Sequence, residues 1–400
     1  MDELDNLYFG NKMSEVADAI RTFPIIYDIT QRELYRKVLD DLKNGTVKEI
    51  DTDLYEAYGN GLRKAVDAVL GESEYGDEYF DMQMQMQANV SRFAAYKAYH
   101  ATQELKDVDP ADIDKKGKLI LNKYNRWQAA EYNTAVARTR TAKQYHDFTS
   151  DPISNELYPN IKWLPSRSAS PREVHRVFWN RVWAKNDPFW NSNTPGSLWN
   201  CKCDWEETDE PVTNGNPNGK MSAKGLEGNP AVTGEIFYSK KTNGVDCRHP
   251  YFSCSNSKKK KIEKYAGDKF LRSESKLCLQ ALQKAEPLII DKRGDNITIV
   301  FDSKTTSHLS NDISESANFI WNASIPYIRE MLENATLVAH EPNVKLNKKP
   351  SAQHYYYYMC KVGNEVFYLN IEENLVAKDN RHFYRLYSIT DKLRPTAILY

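Results

Sequence analysis

Long apolar runs and a marked excess of charge of either sign are missing from this 400-residue chain. No stretch approaches the roughly 18 consecutive apolar residues of a membrane-spanning helix, which argues against an integral helical membrane protein. The acidic start MDELDNLYFG lacks the basic flank and apolar run of a signal peptide, so we expect synthesis in a cytoplasm. The net charge of -1 gives no global attraction to nucleic acid or membrane, so any such binding must be local.

Cysteine is also sparse, with six residues scattered over the second half of the chain, which favours reduced thiols over a disulfide scaffold. Six histidine and cysteine side chains could supply zinc ligands, namely His175, Cys201, Cys203, Cys247, His249 and Cys254. The Cys-x-Cys spacing is tighter than that of most zinc sites, so reduced, packed cysteines without a metal or other cofactor are the preferred interpretation.

Sequence motifs of the common enzyme classes are missing from the first 285 residues. No glycine-rich phosphate loop, paired-carboxylate metal motif or Gly-x-Ser-x-Gly elbow is present. We therefore expect no catalytic site in this part of the chain.

Helical patterns dominate from about Met13 to Thr149, where apolar residues recur three or four positions apart. Proline and serine then break the pattern, and six of the eight tryptophans lie between Trp163 and Trp205. Within this aromatic-rich unit, the stretch NDPFWNSNTPGSLWNCKCDW contains three tryptophans and two prolines. Its composition predicts an irregular loop fixed by its own large side chains rather than a helix or strand.

The remaining segments differ in character. Asn, Gly and Pro dominate from Thr208 to Gly234 and predict an exposed excursion. The lysine run 258–261 opens a predicted connecting helix, and a solvated helix start explains it better than a nucleic-acid contact. After Pro287, short strands, one or two helices and four further strands predict a separate domain. The overall prediction is an α+β multidomain protein whose last domain has an antiparallel, four-stranded sheet.

Several motifs, in order and at the expected spacing, resemble the phage Mu protein F-like family of minor head proteins, also called head morphogenesis proteins. The residues that carry the resemblance are 125–133, Arg172, His175, Asp187, Pro188, Phe189, Trp190, Cys201 and Cys203. The resemblance covers roughly residues 80–255. It implies a virion protein made in a bacterial host, which acts in capsid assembly near the portal with portal and other capsid proteins as partners. The stretch 186–205, which we call the tryptophan loop, would then be an assembly surface.

The chain departs from the family pattern at three places in the loop. Asn186 stands where the family usually has Asp, Gly196 follows Pro195 in place of a second proline, and Lys202 replaces the usual Arg between the cysteines. These departures leave the aromatic anchors in place. They weaken the assignment of a fixed role to any single charge of the loop.

The last part of the chain resembles the barnase, EndoU, colicin E5/D and RelE-like nucleases in its order of elements. With this resemblance, the predicted parts are an N-terminal helical region 1–79, the head domain 80–255, a connector 256–285 and a nuclease domain 286–400. The resemblance implies metal-independent cleavage of RNA, in which a base deprotonates the 2′-hydroxyl and a cation stabilises the phosphorane. Four of the eight histidines lie in this last quarter, which suits such chemistry.

His308 is the first candidate for the general acid or base, because we predict it at a helix start, where backbone N–H groups favour phosphate. Alternation along the last strand predicts one face formed by His382, Tyr384, Leu386, Ser388 and Thr390. The polar members of that face complete the predicted catalytic set.

Lys304 and Arg385 are the predicted phosphate contacts, although the alternation points Arg385 away from the polar face. The tyrosine run 355–358 could stack bases, but it is explained better by strand propensity. The leading hypothesis is a minor head protein with a C-terminal, toxin-like ribonuclease. The alternatives are a structural virion protein whose last domain is a non-catalytic binding module, and a purely structural chain with a zinc-tied loop.

Overall fold

The computed structural model describes residues 3–9, 29–71, 73, 75–168, 171, 173–215, 217, 222–242, 244–270, 272–315, 324–363 and 365–400. Over these residues the chain is an α+β protein that divides into two compact units. Unit 1 comprises Met1–Ser73 and Gln85–Ile262, and unit 2 comprises Glu74–Met84 and Glu263–Tyr400. The helix predicted over residues 13–23 and the motif residue Arg172 lie outside the described residues.

Helices α1 to α9 lie wholly or partly in unit 1. They are α1 Glu3–Phe9, α2 Ile29–Lys43, α3 Thr52–Leu70, α4 Phe80–Lys106, α5 Lys118–Ser150, α6 Pro152–Leu157, α7 Glu173–Arg176, α8 Pro230–Thr233 and α9 Asn256–Phe270. Short helical turns of other types are Pro110–Asp112, Ile113–Gly117, Pro188–Asn191 and Pro250–Phe252.

Helix α3 shows how local sequence sets both ends of an element. Asp51 precedes it, and its carboxylate accepts the backbone N–H of Leu54 at 2.9 Å, which caps the start. Tyr58 and Leu62 are among the buried residues spaced three or four apart along the helix. The helix ends at Leu70, and the capping residue Gly71 follows with a φ of 77°, which favours glycine.

The aromatic-rich part of unit 1 is built on a small antiparallel sheet. Strand β1 Asn160–Leu164 lies between β2 Val182–Ala184 and β3 Asp204–Thr208. A separate two-stranded ribbon pairs β4 Lys241–Thr242 with β5 Val245–Asp246. A core cluster forms on the three-stranded sheet from Ile161, Trp163, Phe178, Trp183, Trp190 and Trp205. We refer to these six residues as the tryptophan cluster.

Among the described residues between Thr208 and Gly234, Leu226, Asn229 and Pro230 are buried, although the composition predicts an exposed excursion. Arg138 on α5 is fully buried and donates to the backbone carbonyl of Leu226 at 2.9 Å, and to those of residues 227, 228 and 235. This segment has few apolar side chains and is held instead by hydrogen bonds from Arg138 to its backbone carbonyl groups. Composition does not reveal such bonds.

Unit 2 contains helices α10 Arg272–Lys284, α11 Ser303–Glu315 and α12 Ile328–Glu333, and a helical turn at Ile325–Tyr327. Its strands are β6 Leu288–Lys292, β7 Asp295–Val300, β8 Thr336–Pro342, β9 Ala352–Val362, β10 Glu365–Val376, β11 Arg381–Thr390 and β12 Ile398–Leu399.

The sheet of unit 2 has seven strands in the order β12-β8-β9-β10-β11-β7-β6, rather than the four that the sequence predicts. The predicted antiparallel strands β8 to β11 form its centre. The hairpin β6/β7 joins them through a short parallel pairing, Tyr384 with Ile299 and Arg385 with Val300. This pairing links segments more than 80 residues apart, so local sequence does not specify it.

The two faces of this sheet carry different side chains. The main core of unit 2 lies on the face that includes Leu369, Ile371 and Leu386, together with Leu309 of α11. We call this the core face. The opposite face holds a smaller cluster around Tyr355 and Tyr357, which we call the tyrosine face.

Candidate functional site

His308 lies in the second turn of α11 and not at the helix start. The helix begins at Ser303, and the Asp302 carboxylate caps it by accepting the backbone N–H groups of Lys304 and Thr305 at 3.0 and 2.9 Å. The free N–H groups expected to favour a phosphate at His308 are therefore not beside it. Thr305 donates to the Leu386 carbonyl at 2.7 Å and fixes the helix against β11.

Around His308, five side chains form what we call the His308 cluster: His308, Lys349, Glu372, Arg385 and Tyr387. The ring of Tyr387 lies with its centroid 4.4 Å from that of His308. Lys349 Nζ donates to the Tyr387 hydroxyl at 2.6 Å and lies 3.6 Å from a Glu372 carboxylate oxygen. Glu372 also pairs with Arg385 at 3.5 Å.

Two carboxylates hold Arg385 on the tyrosine face, where it is nearly fully buried. Besides Glu372, its guanidinium reaches the helix-capping carboxylate of Asp302 at 2.8 Å. The predicted phosphate contact Arg385 therefore lies beside His308, whereas the predicted contact Lys304 is an exposed residue in the first turn of α11.

The pKa of His308 is below the ordinary value of an imidazole. Burial is the main cause, and the positive charge of Lys349 adds to it, while Glu372 acts in the opposite direction. His308 is therefore neutral at neutral pH, which is the form that accepts a proton.

A cavity of about 380 Å³ opens on the tyrosine face next to the His308 cluster. Lys349 and Tyr387 of the cluster line it. The other lining residues are Glu341, Pro342, Asn343, Val344, Lys345, Tyr355, Arg394 and Thr396. Arg394 lies 5.3 Å from the centre of the Tyr355 ring and donates to Glu341 at 2.8 Å. The cavity thus combines aromatic rings with cationic side chains.

His382 and Tyr384 lie on the core face, around Glu373. His382 Nδ1 is 2.9 Å from one Glu373 oxygen, and the Tyr384 hydroxyl donates to the same oxygen at 3.0 Å. Tyr356 donates to the other oxygen at 2.8 Å, and Lys292 lies 4.3 Å from the centre of the Tyr356 ring. We call these five residues the Glu373 cluster.

The pKa of Glu373 reflects opposing effects. Burial raises it, but the hydrogen bonds from Tyr356 and Tyr384 and the charges of Lys292 and His382 outweigh burial and leave the pKa lowered. The pKa of Tyr384 is raised to about 12, by burial first and by Glu373 second. Glu373 thus remains a carboxylate that can orient the His382 ring.

A β-bulge at Tyr387 divides the predicted polar face of β11. Asn370 pairs with Ser388 while Ile371 pairs with Leu386, so Tyr387 is an extra residue in the strand. Beyond the bulge the alternation changes sides, and Ser388 receives a weak 3.4 Å hydrogen bond from Asn370, which pairs with Tyr357 on the tyrosine face.

The predicted catalytic residues consequently do not share one face. His382 and Tyr384 lie on the core face, whereas His308 contacts Tyr387, which packs on the tyrosine face. Thr390 pairs with Tyr368, which also packs on the tyrosine face, and its hydroxyl donates to the Lys392 carbonyl. The predicted pairing of His308 with His382 in one site is therefore not seen.

Glu372 and Glu373, the carboxylates at the two clusters, are not among the site residues predicted from the sequence. Both are buried and follow one another on β10, in the run LNIEENL. Two adjacent glutamates within a buried strand were the available signal, because buried carboxylates need specific partners.

The loop motif in unit 1 is explained by packing. Asp187 caps the turn Pro188–Asn191 by accepting the Phe189 N–H at 2.8 Å. Phe189 stacks on Trp183 at 4.1 Å between ring centres, and the fully buried Trp190 donates its indole N–H to the Ala184 carbonyl at 2.9 Å. These contacts fix the loop onto β2.

His175 on α7 is brought to Cys201 and Cys203, which precede β3. Its Nδ1 lies 3.5 Å from Cys201 Sγ and 3.7 Å from Cys203 Sγ. Neither Cys247 nor Cys254 belongs to this group, and His249 contacts Tyr8 and the Tyr251 backbone elsewhere in unit 1.

The family model of large polyvalent protein-associated domain 3 matches residues 267–384, less than a third of the chain. No curated protein and no solved structure matches the chain. Among the described residues, we find no helix with the length and apolar character required to cross a membrane. The matched range contains His308, Glu372, Glu373 and His382, and the match indicates a phage- or prophage-associated protein.

Proposed function

We propose that unit 2 is a metal-independent ribonuclease and that the His308 cluster is its active site. The observation that carries this proposal is a neutral imidazole beside Glu372, Lys349 and Arg385, next to a cavity that has aromatic and cationic walls. Metal-independent cleavage of RNA uses a neutral general base, cationic side chains that bind the phosphate and aromatic rings that stack on a nucleobase.

In the proposed reaction, His308 removes the proton of the 2′-hydroxyl, whose oxygen then attacks the adjacent phosphorus. Lys349 and Arg385 stabilise the negative charge of the phosphorane. The Tyr387 hydroxyl, bound by Lys349 at 2.6 Å, donates a proton to the departing 5′-oxygen. Glu372 holds both cations in place, since it pairs with each of them.

The Glu373 cluster is a second candidate site for the same reaction. Because Glu373 binds Nδ1 of His382, the other ring nitrogen is left to exchange a proton with a substrate, and the His382 side chain is half exposed. Tyr384 and Lys292 would then supply a donor and a cation. We favour the His308 cluster because it borders a cavity with several cationic side chains.

For the whole chain, we propose a minor head protein of a phage or prophage that acts near the portal during capsid assembly. Its partners would be the portal and other capsid proteins, and its location the virion. The motif resemblance over residues 80–255 and the phage-associated family match over residues 267–384 support this proposal. The packed tryptophan loop supplies a rigid surface for such contacts.

Incubation of the full chain with RNA, with and without EDTA, tests the ribonuclease. We expect cleavage in both, and a loss of about 10²- to 10⁴-fold in rate for His308→Ala. His340→Ala is the matched control, because His340 is a member of neither cluster. Its ring stacks on Tyr400 and, at 6.4 Å, on Tyr356, and the variant should retain the rate.

Three outcomes of this experiment assign the site or reject the function. Loss of cleavage in His382→Ala and Glu373→Gln, with His308→Ala active, would move the site to the Glu373 cluster. Cleavage that EDTA abolishes would contradict the metal-independent mechanism. A folded chain that binds RNA without cleaving it would identify unit 2 as a binding module.

A further inference from the structure

The His175, Cys201 and Cys203 side chains converge in unit 1, whereas the proposed nuclease is unit 2. A tetrahedral zinc ion with one imidazole and two thiolate ligands places the nitrogen about 3.5 Å from each sulfur, given the usual bond lengths of about 2.0 and 2.3 Å. The observed Nδ1 to Sγ distances are 3.5 and 3.7 Å. Both nitrogen–sulfur distances therefore match such an ion, and all three ligand atoms lie within 4.8 Å of one another.

The backbone around the cysteines is shaped to bring both sulfurs to the same point. Asn200 has a φ of 56°, a left-handed conformation that asparagine tolerates better than most residues. The Cys203 backbone N–H donates to Cys201 Sγ at 3.5 Å, a contact that stabilises a thiolate. The chain thus turns tightly enough for a Cys-x-Cys pair to act as two ligands.

The imidazole is oriented from its other side. The Ser197 hydroxyl lies 3.4 Å from His175 Nε2, so Nδ1 is the nitrogen directed at the sulfurs. The ring of Trp163 meets the His175 ring edge to face with centroids 5.1 Å apart, and His175 is buried. Outer contacts of this kind fix the ring of a metal-binding histidine.

Two buried indole N–H groups lie beside Cys203. The indole N–H groups of Trp163 and Trp179 are directed at Cys203. Among the described residues, neither makes a hydrogen bond of ordinary geometry. A buried N–H group without a partner is costly, and a metal-bound thiolate is an acceptor that would satisfy it.

We propose that His175 Nδ1, Cys201 Sγ and Cys203 Sγ bind one zinc ion that ties the Cys-x-Cys loop to α7. Thiolate and imidazole are the ligands that zinc prefers. Cys201 and Cys203 also line a cavity of about 280 Å³, from which a water completes the tetrahedron. This site reverses the preference for metal-free cysteines drawn from their tight spacing, because the third ligand comes from a helix 26 residues away.

Elemental analysis of the full chain, purified without chelator, should find about one zinc per molecule. Cys201→Ser and Cys203→Ser should each lose most of it, and His175→Cys, which keeps a zinc ligand, should retain it. Cys254→Ser is the matched control, since it removes a partly buried thiol of unit 1 outside the group, and it should keep the full amount.

Cobalt substitution checks the ligands independently of folding yield. The cobalt form of the wild type should show thiolate charge-transfer absorption that weakens in Cys203→Ser and persists in Cys254→Ser. Wild-type protein with little zinc and no cobalt–thiolate absorption would overturn the proposal. A Cys201–Cys203 disulfide in protein kept under reducing conditions, or zinc retained when both cysteines are replaced, would overturn it as well.

Discussion

At the residue scale, unit 1 contains a fully buried ion pair. Lys97 Nζ lies 2.6 Å from a Glu131 oxygen, and both side chains are fully buried. Tyr8 donates to Glu131 at 2.8 Å and lies 2.9 Å from His249 Nε2. Because His249 Nδ1 accepts the Tyr251 N–H, Nε2 carries the proton and donates to Tyr8.

Burial lowers the pKa of Lys97 to about 8 and raises the pKa of Glu131, while each charge opposes the shift of the other. This network explains the glutamate of the 125–133 motif as a structural residue. Removing one charge of such a pair leaves the other without a partner in a low-dielectric interior, which is more costly than removing both.

We therefore predict that Lys97→Met lowers the free energy of unfolding by about 3–5 kcal/mol. The double variant Lys97→Met/Glu131→Leu should recover part of that loss. Lys37→Met, which removes a solvent-exposed partner of Asp53, is the control and should leave stability nearly unchanged. Chemical denaturation of the four proteins measures these differences, and a Lys97→Met chain as stable as the control would refute the role of the pair.

His308 gives the pH dependence of the proposed ribonuclease. Its folded-state pKa is lowered, so its neutral form is present at neutral pH and is lost only below the ordinary imidazole value of about 6.5. In the pH profile of kcat/KM for RNA cleavage, the acidic limb should therefore lie below pH ~6.5. The lowered pKa also affects stability. Because the unfolded chain binds the proton more tightly, His308 lowers the free energy of unfolding only as the pH falls below about 6.5.

Since the Lys349 charge helps to lower the pKa of His308, Lys349→Met should move the acidic limb to higher pH. Lys348→Met removes an exposed neighbouring charge and should not move it. A limb that stays in place in Lys349→Met, whatever the change in rate, would contradict His308 as the titrating base.

At the element scale, the tryptophan loop takes its rigidity from side chains rather than from a hydrogen-bond ladder. Trp190 is fully buried, and its ring stacks parallel to Trp163 with centroids 6.4 Å apart and meets Trp205 edge to face at 5.2 Å. The composition of the loop indicated large buried rings, but not the small sheet of β1, β2 and β3 on which they pack.

Trp190→Ala should accordingly lower the free energy of unfolding by about 3–5 kcal/mol, because it removes a large ring from a closed cluster. Leu157→Ala, at an exposed position of α6, should change it by less than about 0.5 kcal/mol. Thermal and denaturant unfolding of both variants measures the difference. Trp190→Ala with wild-type stability would show that the ring is not an anchor.

In unit 2, residue periodicity predicts the strands but not, over a whole strand, the face on which each side chain lies. The strands were identifiable from alternating and β-branched residues, but the alternation on β11 holds only as far as the bulge at Tyr387. A single extra residue changes the face of everything after it. For this reason His382 and Ser388, which were predicted to share one face of the strand, lie on opposite faces.

At the scale of the whole molecule, a net charge of -1 hides local concentrations of cationic side chains. Lys345, Lys349 and Arg394 line one cavity of unit 2, although they are spread over 50 residues of sequence. Composition excluded a global attraction to nucleic acid, and only the folding of the loop after β8 and of the C-terminal segment brought these charges together.

The sequence by itself determined the α+β class, the helical start, the aromatic-rich loop and the central strands, because each follows from local periodicity and composition. The tertiary structure alone decided the parallel joining of β7 to β11, the bulge at Tyr387, the pairing of Glu372 with Arg385 and the meeting of His175 with Cys201. These features depend on contacts between segments far apart in the chain, and local patterns carry no information about which distant segments will meet.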